Sequence, residues 1–167
     1  MRKGITCPID GGSLRGKILA VVLADIPTRD TRAGTTVSLY ALPRLRESFA
    51  LWKFGSTCLL GFVYCAVPLL KALGVDHARL PSIVIGIIFV ASAATLLGIA
   101  TANSKTFIAA FFSFWYLVVS DKGASPLLDF GGFYETATLQ TLLTYGTLAA
   151  LCAIGAQLAH RGRLMRT

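Results

Sequence analysis

Charged residues are scarce in this chain, and the common signatures of catalysis and metal binding are missing. Only 14% of the 167 residues are Asp, Glu, Lys or Arg, and two are histidine. No stretch matches the Gly-x-x-x-x-Gly-Lys-Ser/Thr phosphate loop of nucleotide hydrolases. The four cysteines lack metal-ligand spacing, and no His, Asp or Glu cluster lies within an apolar stretch. The sequence therefore predicts no enzyme, no catalytic residue, no metal site and no cofactor.

Long apolar stretches dominate the chain instead. Apolar residues make up 54% of it, and nearly charge-free runs cover 54–70, 82–100 and 138–159, with a shorter run at 106–120. About 20 apolar residues cross the hydrocarbon core of a bilayer, and soluble helices rarely run that far without a charge. The predicted fold class is an all-α, polytopic membrane protein with four membrane-embedded helices preceded by short amphipathic cytoplasmic helices.

Three segments are predicted along the chain. Residues 1–26 form an N-terminal tail that contains a possible remnant of an earlier span, residues 18–26, which is too short to cross. Residues 27–51 form a polar, basic region, and residues 52–167 form the transmembrane domain. Its spans are predicted at about 52–73, 82–102, 106–120 and 138–159.

The block at 106–120 is barely long enough to cross, and the half-apolar segment 123–134 follows it. We expect this segment to be re-entrant or interfacial, because irregular backbone at membrane depth needs protein or water to satisfy it. Small residues are frequent in the second and last spans, and because small faces let helices approach closely, we expect both spans to pack inside the domain.

The basic residues predict an orientation. With four crossings, residues 1–53, the turn 103–105 and the tail from residue 160 share one side and hold thirteen of the 16 Lys and Arg. Lys and Arg near span ends are retained in the cytoplasm, so both termini are predicted to be cytoplasmic. The net charge of +8 fits a membrane face better than nucleic acid, because so little of the chain is polar.

The region before the first span has an apolar stripe at helical spacing, made by Leu39, Leu42, Leu45 and Phe49. We expect two surface helices at about 35–42 and 44–50, separated at Pro43, with the second running into the first span. Thr35 or Thr36 can cap the first helix. The simpler interpretation is an interfacial helix that only anchors the protein.

Polar groups at the span ends are the remaining candidates. Asp121, Asp129 and Glu135 lie near Lys122 on the predicted outer side, where they could bind a cation or gate an exit path. Such charges more often mark the water boundary of a span. The two histidines are expected to be solvated or interfacial, at His77 and His160.

The region before the first span resembles a known pattern. Its elements, in order, are an acidic and basic pair, Gly34–Thr35, Leu39, Pro43, and Lys53 at the start of a span. It is the cytoplasmic coupling-helix region of type-two ATP-binding-cassette exporter permeases. Three downstream motifs resemble that family's tight turn, fifth span and re-entrant exit-side hairpin: Asn103–Phe107, Phe114–Tyr116 and Asp121–Phe130. The resemblance covers about 27–167 and corresponds to the C-terminal part of such a permease.

The resemblance implies a permease component in the bacterial plasma (inner) membrane that passes ATPase motion to transmembrane helices. Its implied partners are a cytoplasmic ATP-binding-cassette ATPase subunit, a second permease subunit and membrane lipid. The implied ATPase-docking residues are Gly34, Thr35, Leu39, Pro43, Arg44 and Arg46. The implied exit-side residues are Asp121, Lys122, Asp129 and Glu135.

Two alternatives follow from the lack of the family's first spans. The chain corresponds either to a C-terminal half or to a subunit whose companion supplies those spans. The rival function is a small accessory or anchoring integral membrane protein with no transport activity of its own.

Overall fold

The computed structural model describes residues 43–74, 77–134 and 136–164, and these residues form helices joined by short loops, without a strand among them. The helices are α1 (Pro43–Tyr64), α2 (Ala66–Gly74), α3 (Leu80–Thr101), α4 (Ser104–Asp121) and α5 (Leu139–Leu164). Two short 3-10 turns cover His77–Arg79 and Pro126–Leu128. The all-α prediction is confirmed.

Two helical stretches are long and apolar enough to cross a membrane, His77–Thr101 and Leu139–Gly162. A third span is possible in the bent pair Ala50–Tyr64 and Ala66–Gly74. These candidate spans indicate a membrane protein.

The predicted first span, about 52–73, falls on two helices, the later part of α1 and α2. The chain bends by 61° between α1 and α2. Pro68 explains the position of the bend, because proline has no N–H and its ring clashes with the carbonyl four residues earlier, at Tyr64. The hydrogen bonds on either side of this gap remain, from Cys65 N to the Gly61 carbonyl at 2.9 Å and from Leu69 N to the Cys65 carbonyl at 3.0 Å.

The start of α1 lies eight residues or so before the predicted span. Proline is well tolerated in the first helical turn, and α1 begins at Pro43 and continues without a break to Tyr64. The predicted second surface helix, about 44–50, is thus the first part of α1. The predicted first surface helix, about 35–42, lies outside the described residues.

Helix α3 is the centre of the bundle and packs against α5, α1 and α4, most extensively against α5. The neighbouring helices bury many residues of α3, and these include Gly86, Val90, Ala91, Ala94 and Gly98. The predicted interior position fits α3, whereas α5 packs against α3 with one face only. Helix α5 leaves its outer face open, with Leu143, Leu151 and Leu158 each more than half exposed.

Contacts between the helices fix their directions. A Cβ added at Gly61 would lie 2.8 Å from Cγ2 of Ile87, while Ala50, at the start of α1, clusters with Ile99, at the end of α3. Helices α1 and α3 are therefore antiparallel.

Helix α5 runs parallel to α3. Tyr145, early in α5, meets Phe89 with 5.0 Å between ring centroids, and Gly155, ten residues later, meets Leu96. Ala156 then joins the cluster of Ala50 and Ile99. The start of α1, the turn between α3 and α4, and the end of α5 consequently share one end of the bundle.

Candidate functional site at the hairpin between α4 and α5

The hairpin, residues 122–138, begins with a tight turn that Asp121 stabilises. Lys122 ends α4 in the left-handed conformation at φ 50°, and Gly123 follows at φ 80°. The Asp121 carboxylate accepts hydrogen bonds from the backbone N–H of Ser125 at 2.7 Å and from its hydroxyl at 3.3 Å. This carboxylate satisfies the backbone N–H of Ser125, a donor in the turn that follows the helix.

A second carboxylate, that of Asp129, organises the rest of the hairpin. Its side chain is 1% exposed. It accepts hydrogen bonds from the backbone N–H groups of Phe133 at 2.6 Å, Tyr134 at 3.2 Å and Thr136 at 3.1 Å, and from the Thr136 hydroxyl at 3.2 Å. A buried charge is tolerated only when hydrogen bonds replace its hydration, and four donors provide that replacement here.

Hydroxyl groups attach the hairpin to the start of α5. Thr138 occupies the N-cap position of α5, and its hydroxyl oxygen lies 3.1 Å from that of Thr141. The Thr141 hydroxyl, which is 2% exposed, donates to the Pro126 carbonyl at 2.8 Å. This bond joins the hairpin to the first turn of α5, fifteen residues later in the chain.

Phe130 joins the hairpin to the three helices around it. Its ring centroid lies 6.3 Å from Phe89 on α3, 5.3 Å from Phe114 on α4 and 5.8 Å from Tyr145 on α5. We call these four residues the aromatic hub. Rings at such separations and tilted angles interact favourably beyond the area that they bury.

Gly86 leaves the space into which the hairpin fits. A Cβ at this position would lie 3.1 Å from the Phe130 carbonyl oxygen and 3.5 Å from Cα of Gly131. Gly132, with φ 66°, lies instead beside Ser82, one turn nearer the start of α3. Since Gly86 is six residues into α3, the hairpin reaches about 9 Å along it, measured from its end.

The described residues of the hairpin pack their aromatic rings against the neighbouring helices and pair their backbone N–H groups with Asp121 and Asp129. Two of the predicted exit-side residues, Asp121 and Asp129, hold separate parts of the same hairpin. Lys122 is exposed at its start, and Glu135 lies outside the described residues. Among residues 43–74, 77–134 and 136–164, no group of three His, Cys, Asp or Glu side chains is placed to hold a metal ion.

The predicted ATPase-docking residues fall into two sets. Gly34, Thr35 and Leu39 lie outside the described part of the chain. Pro43, Arg44 and Arg46 belong to the first turn of α1, at the end of the bundle that also holds the α3–α4 turn. The structure brings this second set near the C-terminal end of α5 but does not join it to the hairpin.

Sequence patterns missed several polar residues that the fold buries. His160 was predicted to be solvated or interfacial, but it lies within α5 and is 3% exposed because α5 continues beyond the predicted span. Lys53 is 5% exposed on α1, near the same end, and Thr57 is fully buried one turn later. No local pattern separates these residues from solvated ones, since their burial depends on neighbouring helices.

The aromatic hub was only partly visible in the sequence. The run around Phe114 was recognisable as an aromatic cluster, but its partners come from distant parts of the chain. The Asp129–Phe130 pair followed by two glycines is the local signal that could have revealed a tight turn with a buried anchor.

No protein-family model, no curated protein and no solved structure matches this chain.

Proposed function

We propose that this chain is the membrane-spanning permease component of an ATP-driven exporter, and that it passes the motion of a separate ATPase to its helices. The observation that carries this proposal is the hairpin between α4 and α5, which turns back beside α3 and is anchored by Asp129 and Phe130. The hairpin lies at one end of the bundle, and the start of α1 lies at the other. In the family that the sequence resembles, the exit-side hairpin and the motor-side coupling region are separated in the same way.

Four crossings are proposed. Counted from Ala50, the bent pair covers about 22 Å before the bend and about 6 Å along the same axis after it, which approaches the 30 Å of a bilayer core. The 18 residues of α4 cover about 27 Å, and its Phe114 lies beside Phe89 of α3, so α4 runs along most of the bundle. Helices α3 and α5 supply the other crossings.

The end that holds the start of α1 is proposed to be cytoplasmic, with both termini on that side of a bacterial plasma membrane. The helices contribute six Lys or Arg at this end, and they are Arg44, Arg46, Lys53, Lys105, Arg161 and Arg163. The described residues of the opposite end contribute three, and they are Lys71, Arg79 and Lys122. Such an imbalance favours a cytoplasmic position for the richer end.

Helix α1 is suited to transmit motion. It is an unbroken helix of 22 residues from the proposed docking residues into the bundle. It fits closely against α3 at Gly61 and clusters with it at Ala50. A displacement at Arg44 or Arg46 therefore moves α1 as a rod against α3, and ATP binding can bias such a rigid-body change if the ATPase docks differently in two states.

The proposed partners are a cytoplasmic ATP-binding-cassette ATPase and a second permease subunit. The test is affinity purification of the tagged chain from mild-detergent membranes, followed by mass spectrometry. We expect a stoichiometric ATPase with the wild-type chain and its loss from the Arg44→Gln/Arg46→Gln variant, because two cations leave the docking surface. The matched control is Lys71→Gln/Lys122→Gln, which removes the same charge at the opposite end and should retain the ATPase.

A chain that purifies without an ATPase, or an ATPase that stays bound to the Arg44→Gln/Arg46→Gln variant, would contradict this assignment. The first result would favour an accessory or anchoring membrane protein. The second would move the docking surface away from the start of α1.

A further inference from the structure

The two ends of the bundle differ in the balance of basic and acidic residues. At one end, which we call the basic end, α1 and α4 begin and α3 and α5 finish. Glu47 is the one acidic residue that the described helices place there, against six Lys or Arg. At the opposite end, Asp121 and Asp129 accompany three Lys or Arg. Positive charge is therefore in excess at the basic end.

Helix dipoles do not account for this excess. A cation near the C-terminal end of a helix is favourable, which suits Arg161 on α5. Lys105 is the second residue of α4, and Arg44 and Arg46 lie in the first turn of α1. Cations at such N-terminal positions oppose the dipole, so the dipole does not explain their presence there.

The surface around these cations is open. Lys105 and Arg161 are both exposed, and so are the residues of the α3–α4 turn, from Ala100 to Asn103. Trp52 is 73% exposed, two residues after Ala50, which clusters with Ile99 near the end of α3. Tryptophan is enriched at the level of the lipid headgroups.

We propose that the basic end binds anionic phospholipid headgroups. The charge excess, the exposure of Lys105 and Arg161, and the headgroup-level Trp52 fit a phosphate-bearing partner that lies in the membrane surface. Each Lys or Arg near such a surface strengthens the attraction about 5-fold, so two of them account for about 30-fold in affinity. This inference requires a membrane protein but does not depend on transport or on an ATPase.

The experiment uses Trp52 as a reporter in the full-length chain. Replacing Trp115 with Phe removes the only other tryptophan. Energy transfer from Trp52 to pyrene-labelled phosphatidylglycerol, titrated into mixed micelles, then measures lipid association at the basic end. Pyrene-labelled phosphatidylcholine gives the affinity for a zwitterionic headgroup with the same acyl chains.

We expect tighter association with phosphatidylglycerol, and a loss of about 30-fold in the Lys105→Gln/Arg161→Gln variant. The control Lys71→Gln/Lys122→Gln should keep the wild-type affinity, and Lys105→Arg/Arg161→Lys should do so as well, which excludes misfolding as the cause. Equal affinity for the two lipids, or equal losses in the two Gln variants, would overturn the proposal. Because no ATPase is present, this outcome is independent of the test of transport function.

Discussion

Single side chains decide whether the chain can turn back between α4 and α5. The N–H groups of Phe133, Tyr134 and Thr136 lie outside the helices and have no helical carbonyl as acceptor. The carboxylate of Asp129 accepts a hydrogen bond from each of the three. In a protein interior such donors cost free energy unless they are paired. One acidic residue thus replaces a whole set of backbone partners.

Replacing Asp129 with Ala should lower the free energy of unfolding by roughly 3 kcal/mol, because three backbone donors lose their acceptor. Asp129→Asn keeps one carbonyl oxygen and should lie between this variant and the wild type. Asp121→Ala is the control, since that carboxylate is less buried and serves Ser125 alone, and should cost roughly 1 kcal/mol. Thermal unfolding of the purified variants in detergent measures the difference. Equal losses for the two Ala variants would show that Asp129 has no special role.

Two glycines provide a matched pair for the space that the hairpin occupies. Gly86→Ala puts a methyl group 3.1 Å from a backbone oxygen of Phe130, which cannot move without shifting the hairpin. We expect a loss of roughly 1–2 kcal/mol in stability. Gly146→Ala meets nothing within 4 Å on α5 and should stabilise its helix by up to about 1 kcal/mol. A melting temperature that rises equally in both variants would contradict the fit at Gly86.

At the scale of elements, proline shapes the first crossing. The 61° bend separates a steep helix, α1, from α2, whose Val67, Leu70 and Leu73 are each more than half exposed. Pro68 offers no N–H to the Tyr64 carbonyl, whereas Cys65 N and Leu69 N are hydrogen-bonded on either side of it. The bend is therefore expected to depend on this residue more than on packing, because α2 has few buried side chains.

Pro68→Ala should straighten the α1–α2 pair. Spin labels at positions 51 and 73, both exposed, would then move from about 29 Å to about 33 Å apart, as the helical rise predicts for a 61° bend and for a straight helix. Pulsed electron-spin distance measurement detects this change after the native cysteines have been replaced by Ala. An unchanged distance would assign the bend to packing against α3.

At the scale of the whole molecule, the helix directions decide which loops share a side. The antiparallel α1 and α3, with α5 parallel to α3, bring the start of α1, the α3–α4 turn and the end of α5 together. The hairpin lies at the other end. This grouping places six of the nine Lys and Arg among the described residues at one end of the bundle.

Single cysteines in a cysteine-free chain test this arrangement in intact cells. Lys122→Cys, exposed at the start of the hairpin, should react with a membrane-impermeant maleimide added outside. Asn103→Cys, exposed in the α3–α4 turn, should react only after the cells are permeabilised. Labelling of both positions from the same side would mean that α4 does not cross.

Much of the helical content was predictable because each helix is specified by its own residues. The apolar runs gave α3, α4 and α5 to within a few residues at their starts, and Asn103 caps α4 through its side chain, which accepts from Lys105 N at 3.0 Å. The break at Pro68 was not predicted, although its cause is local. The first span was predicted from hydropathy, and hydropathy does not register the backbone hydrogen bond that a proline removes.

The sequence by itself determined that this is an apolar, all-helical chain with a basic imbalance, because composition and periodicity act over short distances. Only the tertiary structure decided that α3 is central, that Phe130 meets Phe89 and Tyr145, and that Asp129 is buried and fully hydrogen-bonded. These features join residues far apart in the chain, and their energies depend on which helices become neighbours. The hairpin is recognisable locally as a turn, but its packed position exists only once three helices surround it.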